Sequence, residues 1–181
     1  MLDLEKKIAL KTLRVLKKKP WNRLSIDEIL KNNNKNNINI KSKFDLLKNI
    51  NRYVDNLLIS KMKSLEDSSN KDMLFEVIMA RFDILQQNRK SFIEIYNGLK
   101  KTPKDFIKLL PSFLESMIIT AELSKFNVNG LKGTVKLKGL MIVYFVTFFQ
   151  WLDDKTSSLE KTMTRLDTNL DQAEKFGKLL S

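Results

Sequence analysis

The chain has 181 residues, of which 43% are hydrophobic, and carries a formal net charge of +12 at pH 7 without any cysteine or histidine. The lack of these two residue types excludes disulfides, thiolate or imidazole metal ligands and a histidine base, so we expect neither an enzyme nor a metal or cofactor site. Few glycines and prolines and almost no apolar–polar alternation predict an all-α protein.

Three helices are predicted in the N-terminal segment, because apolar residues recur there at helical spacing. They cover 2–18, 26–31 and 42 to about 64, and Pro20 ends the first of them. Residues 32–40, between the second and third helices, are rich in asparagine, and this composition favours turns over helix. The segment is therefore predicted to contain two helix starts, at Ser25 and Ser42, with the asparagine-rich gap between them.

The body of the chain is predicted to contain about five or six further helices, and the one from residue 88 either continues or follows the one before it. They cover 72–86, 88–99, 102–126, 131–152 and 157–178. The polar sequence EDSSN at 66–70 predicts a boundary, which gives one domain over 1–65 and a second over 66–181. The start of the chain is charged, unlike a signal peptide, and the longest uncharged run, 139–152, is too short to span a bilayer. We therefore expect no transmembrane segment and a cytoplasmic protein.

Three of the predicted helices begin with a capping box, in which a serine hydroxyl and an acidic side chain three residues later bind backbone N–H groups. The pairs are Ser25 with Glu28, Ser42 with Asp45, and Ser157 with Glu160. The first two pairs flank the asparagine-rich gap. Just before the third pair, Asp153 and Asp154 are neighbours at a helix end, so their side chains point apart. We interpret them as solvated residues rather than as a catalytic pair.

The positive charge is concentrated in the first third of the chain. Residues 1–63 contain 16 Lys and Arg against 6 Asp and Glu, a net of +10, whereas residues 64–181 have a net of +2. A basic segment on a nearly neutral body is typical of proteins that bind nucleic acid or an anionic membrane surface. An AT-rich genome also produces many lysines, but base composition does not explain why the excess lies at one end.

Several stretches resemble the TetR family of transcriptional regulators. The N-terminal ones are SIDEI at 25–29 and SKFDLL at 42–47. The C-terminal ones, WLDD at 151–154 and EKTMTRLDTNLDQAE at 160–174, resemble a proteobacterial branch, as does MARFDILQQNRKSF at 79–92. The C-terminal half is also similar to a TetR-fold lipid-binding family of ubiquinone biosynthesis. The resemblance implies an all-α, TetR-like fold, with a three-helix helix-turn-helix module followed by a helical ligand-binding and dimerisation domain.

This resemblance implies that the N-terminal module binds DNA in a homodimeric bacterial transcription regulator. The candidate contacts are cations, helix-start serines and asparagines that can pair with adenine. They are Arg23, Ser25, Lys35, Asn36, Asn37, Lys41, Ser42 and Lys43. The spacing from Ser25 to Leu47 is shorter than the family pattern by about one helical turn. We therefore expect a short or degenerate recognition helix, and a solvated loop is the alternative interpretation of the asparagines.

The second domain is expected to bind a small apolar ligand and to form the dimer. Its aromatic and methionine side chains are candidates to line a pocket, although residues at helical spacing fit an ordinary core as well. The candidates are Phe75, Met79, Phe82, Phe92, Phe113, Met117, Tyr144 and Phe148. In the TetR fold the last two helices join the subunits, which here implies residues 131–178.

An alternative function is left open by the same residues. A TetR-fold protein with a degenerate helix-turn-helix would bind a lipid, an isoprenoid or a protein partner instead of operator DNA. The lipid-binding family has an additional C-terminal helix that associates with membranes. Because this chain ends at Ser181, directly after the last predicted helix, we do not expect that element here.

Overall fold

The computed structural model describes residues 3–31, 39–62 and 69–179. Within these residues the regular structure consists of eight α-helices and one 3₁₀ turn, without a strand, which confirms the predicted all-α class. A TetR-like arrangement of the helices stays a prediction. The elements are α1 (Asp3–Leu16), the 3₁₀ turn (Trp21–Arg23), α2 (Ile26–Leu30), α3 (Lys43–Lys61), α4 (Asn70–Gln86), α5 (Arg89–Lys100), α6 (Pro103–Leu123), α7 (Gly130–Asp153) and α8 (Glu160–Leu179).

The chain forms two compact units, each made from separate parts of the sequence. Unit 1 consists of Met1–Ser60 and Asp83–Ser116, and unit 2 consists of Lys61–Phe82 and Met117–Ser181. The predicted boundary between residues 65 and 66 stays a prediction. The compact units group the chain differently, because Asp83–Ser116 belongs with the N-terminal helices.

One hydrophobic cluster holds unit 1 together, with buried members from α1, α2, α3, α5 and α6 and from the 3₁₀ turn. Trp21 of the 3₁₀ turn lies directly on α5 at Gly98, where a Cβ atom would stand 2.1 Å from Trp21 Cδ1. Glycine is therefore the residue that allows this close approach. The contact joins the segment before α2 to α5, which helps to place α5 in the same unit as the N-terminal helices.

In unit 2, α7 and α8 form a packed pair that polar side chains hold in register. Asn169 of α8 donates to Thr147 Oγ1 of α7 at 3.2 Å, and both residues are buried. Lys71, near the start of α4, forms ion pairs with Asp167 and Asp171 on one face of α8. These contacts attach the start of α4 to the last helix.

A buried aspartate, Asp154, caps the start of α8. The predicted capping box of Ser157 and Glu160 is not seen among the residues that the structure describes there. Asp154 is fully buried, so its interpretation as a solvated residue is wrong. Its carboxylate accepts the backbone N–H and hydroxyl of Thr156 at 3.0 and 2.6 Å, and those of Thr162 at 2.9 and 2.8 Å. Burial by itself raises the pKa of Asp154, but these hydrogen bonds outweigh it and lower the pKa to about 2.

Candidate nucleic-acid interface

The basic excess of the chain lies on unit 1. This unit contains 20 Lys and Arg against 10 Asp and Glu, a net of +10, whereas unit 2 contains 13 against 11, a net of +2. The contrast predicted between the two ends of the chain therefore persists when residues are grouped by packing. If the chain binds a polyanion, we therefore expect the binding surface to lie on unit 1.

The predicted DNA contacts have different surroundings. Arg23, Ser25 and Lys41 are exposed, and Ser42 and Lys43 are half-buried. The other three candidates lie outside the described residues, as does most of the predicted recognition segment; they are Lys35, Asn36 and Asn37. The end of that segment is described, and there residues 39–40 are not helical.

The capping box at the start of α3 forms as predicted. Asp45 Oδ2 accepts the N–H groups of Lys41 and Ser42 at 3.0 and 2.9 Å, and Asp45 N donates to Ser42 Oγ at 3.1 Å. Burial raises the pKa of Asp45, but the bonds from Ser42 and Lys41 and the nearby Lys48 cation outweigh it and lower the pKa. A carboxylate therefore already occupies donors that a phosphate would need at this helix start.

The capping box predicted at Ser25 is wrong. The Ser25 side chain makes no cap hydrogen bond to α2, all of whose residues the structure describes. Its expected partner, Glu28, instead forms an ion pair with Lys19, whose Nζ lies 2.8 Å from Glu28 Oε1. The Glu28 carboxylate is thus paired with a basic residue just after α1, and Ser25 is exposed.

Two lysines of unit 1 stabilise helix ends with their ammonium groups. Lys43 Nζ donates to the carbonyls of Trp21 and Asn22 at 3.2 and 3.1 Å and lies 5.8 Å from the Trp21 ring centroid. Lys11 Nζ donates in the same way to Ile29 O at the end of α2, at 2.6 Å. Sequence reasoning missed these roles because each lysine is 18 or more positions away from the carbonyls it binds.

The Lys43 contacts bring the start of α3 against the 3₁₀ turn that contains Arg23. An ammonium group carries three N–H donors, so two bonds to carbonyls leave one donor for an outside acceptor. Ser42 and Lys43 therefore lie beside the turn that contains Arg23. The role of Lys43 as a phosphate contact stays a prediction.

A cleft of about 440 Å³ opens beside this start of α3. Its lining residues come from the 3₁₀ turn, α3, α5 and α6, and the loop just before α3; they are Trp21, Ser42, Lys43, Phe44, Leu47, Leu99, Asp105 and Lys108. The cleft places one α6 cation, Lys108, beside two of the predicted DNA contacts, Ser42 and Lys43. Sequence reasoning assigned α6 to the second domain and did not connect it with the interface.

The eight predicted pocket residues are divided between the two units. Phe92 and Phe113 are half-buried against the core cluster of unit 1. The other six belong to unit 2: Phe75, Met79, Phe82, Met117, Tyr144 and Phe148. Within unit 2, the rings of Phe82 and Tyr144 stack with centroids 5.4 Å apart, and Phe148 stacks on Trp151 at 5.5 Å. Rings in such contact behave as core, and their role as ligand contacts stays a prediction.

Helix α7 presents an apolar face to solvent. Its exposed members are Leu131 (91%), Val135 (62%), Ile142 (65%) and Phe149 (49%). Among the described helices, α7 is the one that length and composition would allow to cross a membrane, with a mean hydropathy of 1.3 over the relevant window and 33% of that window buried. Core helices of soluble proteins meet the same criterion, so the expectation of no transmembrane segment stays a prediction.

No protein-family model matches the chain, and no curated protein matches its sequence. The resemblance to TetR regulators therefore depends on the short stretches quoted above.

Proposed function

We propose that the chain is a TetR-like transcriptional regulator that binds DNA through unit 1. The observation that supports this most directly is the net charge of +10 on unit 1, against +2 on unit 2. DNA presents a dense line of phosphates, and most of the affinity of a DNA-binding protein comes from cations that replace condensed counterions. Unit 1 has the charge that such an exchange requires.

Six exposed cations of unit 1 lie close in sequence to the short helix α2. They precede it, lie in the 3₁₀ turn and follow it toward α3; they are Lys17, Lys18, Lys19, Arg23, Lys31 and Lys41. Lys19 is partly neutralised by Glu28, and exposed ion pairs of this kind exchange readily with other anions. The group fits a phosphate backbone that passes over α2 and the start of α3.

The regulator is proposed to act as a homodimer. A two-fold symmetric dimer presents two identical DNA-binding units and reads a palindromic site. The apolar side chains that α7 exposes on one side support this part of the proposal, because exposed apolar surface often marks a site where a partner binds. A second copy of the chain would cover it with the same face.

Binding of a small apolar ligand would regulate the dimer. Six of the predicted pocket residues belong to unit 2, and their apolar character makes an apolar ligand the expected class. Such a ligand shifts DNA affinity only if it binds one arrangement of the dimer better than another.

The test of DNA binding uses the full chain and a library of random duplexes. After selection, the affinity for the enriched duplex is compared with the affinity for unselected DNA at the same salt concentration. We expect an enriched palindrome that binds at least about a thousandfold more tightly. Weak binding of equal strength to both duplexes would overturn the regulator proposal.

A second candidate is a protein of the same fold that binds a lipid, an isoprenoid or a protein partner and reads no operator. It is favoured by the start of α3, where the Asp45 carboxylate already takes two N–H groups. Extraction of the purified chain with organic solvent, followed by mass spectrometry, distinguishes the two candidates. A stoichiometric lipid in a chain without an enriched DNA site would support the second one.

A further inference from the structure

We propose that Lys104 and Lys108 of α6 contact the DNA backbone together with the residues at the start of α3. The inference rests on the proposed function and names a part of the interface that lies outside the helix-turn-helix-like segment. The ligand chemistry is that of phosphodiester groups on duplex DNA. The contact would position unit 1 on the duplex without reading its sequence.

The cleft beside α3 is the geometric basis of this inference. Lys108 lines the same cleft as Ser42 and Lys43, although more than 60 residues separate them in sequence. Lys104 is one helical turn before Lys108, and residues at this spacing lie on the same side of a helix. Both side chains are exposed. A strand that contacts Lys43 therefore has Lys108 within reach at the same cleft, with Lys104 one turn further along α6.

The local balance of charge favours a phosphate at the rim of the cleft. Among the residues that line the cleft, two lysines, Lys43 and Lys108, stand against one carboxylate, that of Asp105. Lys104 adds a third cation one helical turn before Lys108. Lys108 Nζ lies 3.7 Å from Asp105 Oδ1, and such a long exposed pair leaves most of the lysine's charge available to another anion. Asp45, at the start of α3, is held by backbone N–H groups.

The floor of the cleft excludes a deeper position for the anion. Trp21, Leu47 and Leu99 line it and are buried members of the core cluster. A charged phosphate would lose its hydration against such apolar groups, which is costly. The rim, where the lysines are exposed, is where a hydrated backbone can bind. The exposed Lys100 and Lys101, at the end of α5, add charge just before α6.

The test measures how the affinity for a duplex depends on salt. We expect the full-length K104Q/K108Q variant to show a slope of log K against log salt that is less steep by about 0.9 per lysine. Selected and unselected duplexes should lose affinity by the same factor, because the contacts carry no sequence information. The control is K132Q/K161Q, which removes two exposed lysines of unit 2 and should leave the slope unchanged.

Asp105→Asn should change the affinity for duplex DNA in the direction opposite to K104Q/K108Q. Removal of this carboxylate should tighten duplex binding several-fold at low salt, while thermal unfolding followed by circular dichroism verifies that each variant is folded. If the parent chain binds DNA and K104Q/K108Q keeps the parent slope, the α6 inference is overturned and the proposed function stands. If the parent chain does not bind DNA, the proposed function fails and the inference fails with it.

Discussion

Individual charged residues divide into those that stabilise helix ends and those that face solvent. Lys11 and Lys43 direct their ammonium groups to backbone carbonyls, and Lys19 pairs with Glu28. Cations near the carbonyl end of a helix also interact favourably with its dipole. The net charge of unit 1 thus overstates the charge that is immediately available to DNA. The available charge belongs to exposed residues such as Arg23 and Lys41.

Asp154 is the residue whose loss should destabilise unit 2 most clearly. Its carboxylate accepts four hydrogen bonds from Thr156 and Thr162, and all four donors lose their acceptor in Asp154→Ala. We expect the free energy of unfolding to fall by about 2 kcal/mol, measured by urea denaturation. The matched control is Asp153→Ala, because Asp153 is the exposed neighbour and should change stability by less than about 0.5 kcal/mol. Equal losses in both variants would contradict the cap.

The same residue predicts a pH dependence of stability. The folded pKa of Asp154 is lowered from 3.8 to about 2, so its ionised form stabilises the fold fully above 3.8. This contribution is lost as the pH falls through the interval from 3.8 to about 2. Urea denaturation at a series of pH values should show that Asp154→Asn flattens the acid loss in this interval. An acid profile identical to that of the parent would contradict the prediction.

Helix starts show how far local sequence determines an element. Thr102 and Pro103 predict a helix start, and α6 begins at Pro103. Serine with an acidic residue three positions later is the same local pattern at Ser25 and Ser42, yet only the second forms the box. At Ser25 the acidic partner, Glu28, pairs instead with Lys19, which lies nine residues before it in the sequence. Local patterns define which helices form, and contacts between elements decide how their ends are capped.

This difference can be measured with two alanine variants. Ser42→Ala removes a hydroxyl that accepts from Asp45 N and donates to its carboxylate, so the unfolding free energy should fall by about 1 kcal/mol. Ser25→Ala removes a hydroxyl that makes no cap bond, and its effect should stay within about 0.5 kcal/mol. Thermal and urea denaturation of the full chain provide the comparison. A larger loss for Ser25→Ala would show that the caps are assigned incorrectly.

For the whole molecule, composition predicted the fold class, while the grouping of helices required the structure. The all-α class follows from helical spacing and few glycines and prolines. The place of Asp83–Ser116 in unit 1 depends on long-range contacts, such as that of Trp21 with Gly98, which no local pattern encodes. For the same reason, Ser42 and Lys43 were identified as site candidates from their neighbours in sequence, whereas Lys108 was not.

The face that a dimer would use follows from the periodicity of α7. At about 100° per residue, Leu131, Val135, Ile142 and Phe149 lie within about 40° of one another around the helix. Leucine-sized side chains in such a row pack against a second helix when two copies meet across a two-fold axis. The helix contains no proline, and its exposed row fits the proposed homodimer. Because these side chains lie outside the core, a substitution among them can separate the subunits without disturbing the core of either unit.

The full chain should therefore sediment as a dimer of 21.2 kDa subunits, and Ile142→Glu should convert it to a monomer. Ile142 is 65% exposed, so the charge is tolerated in the isolated chain but would be buried without a partner in the interface. Ile107→Glu is the matched control, because Ile107 is 62% exposed on α6 of unit 1 and should leave the dimer intact. Sedimentation equilibrium measures both masses. A monomeric parent, or a dimer that persists in Ile142→Glu, would exclude this face of α7 as the interface. If Ile142→Glu is monomeric and also binds the palindrome more weakly, dimerisation contributes to DNA recognition.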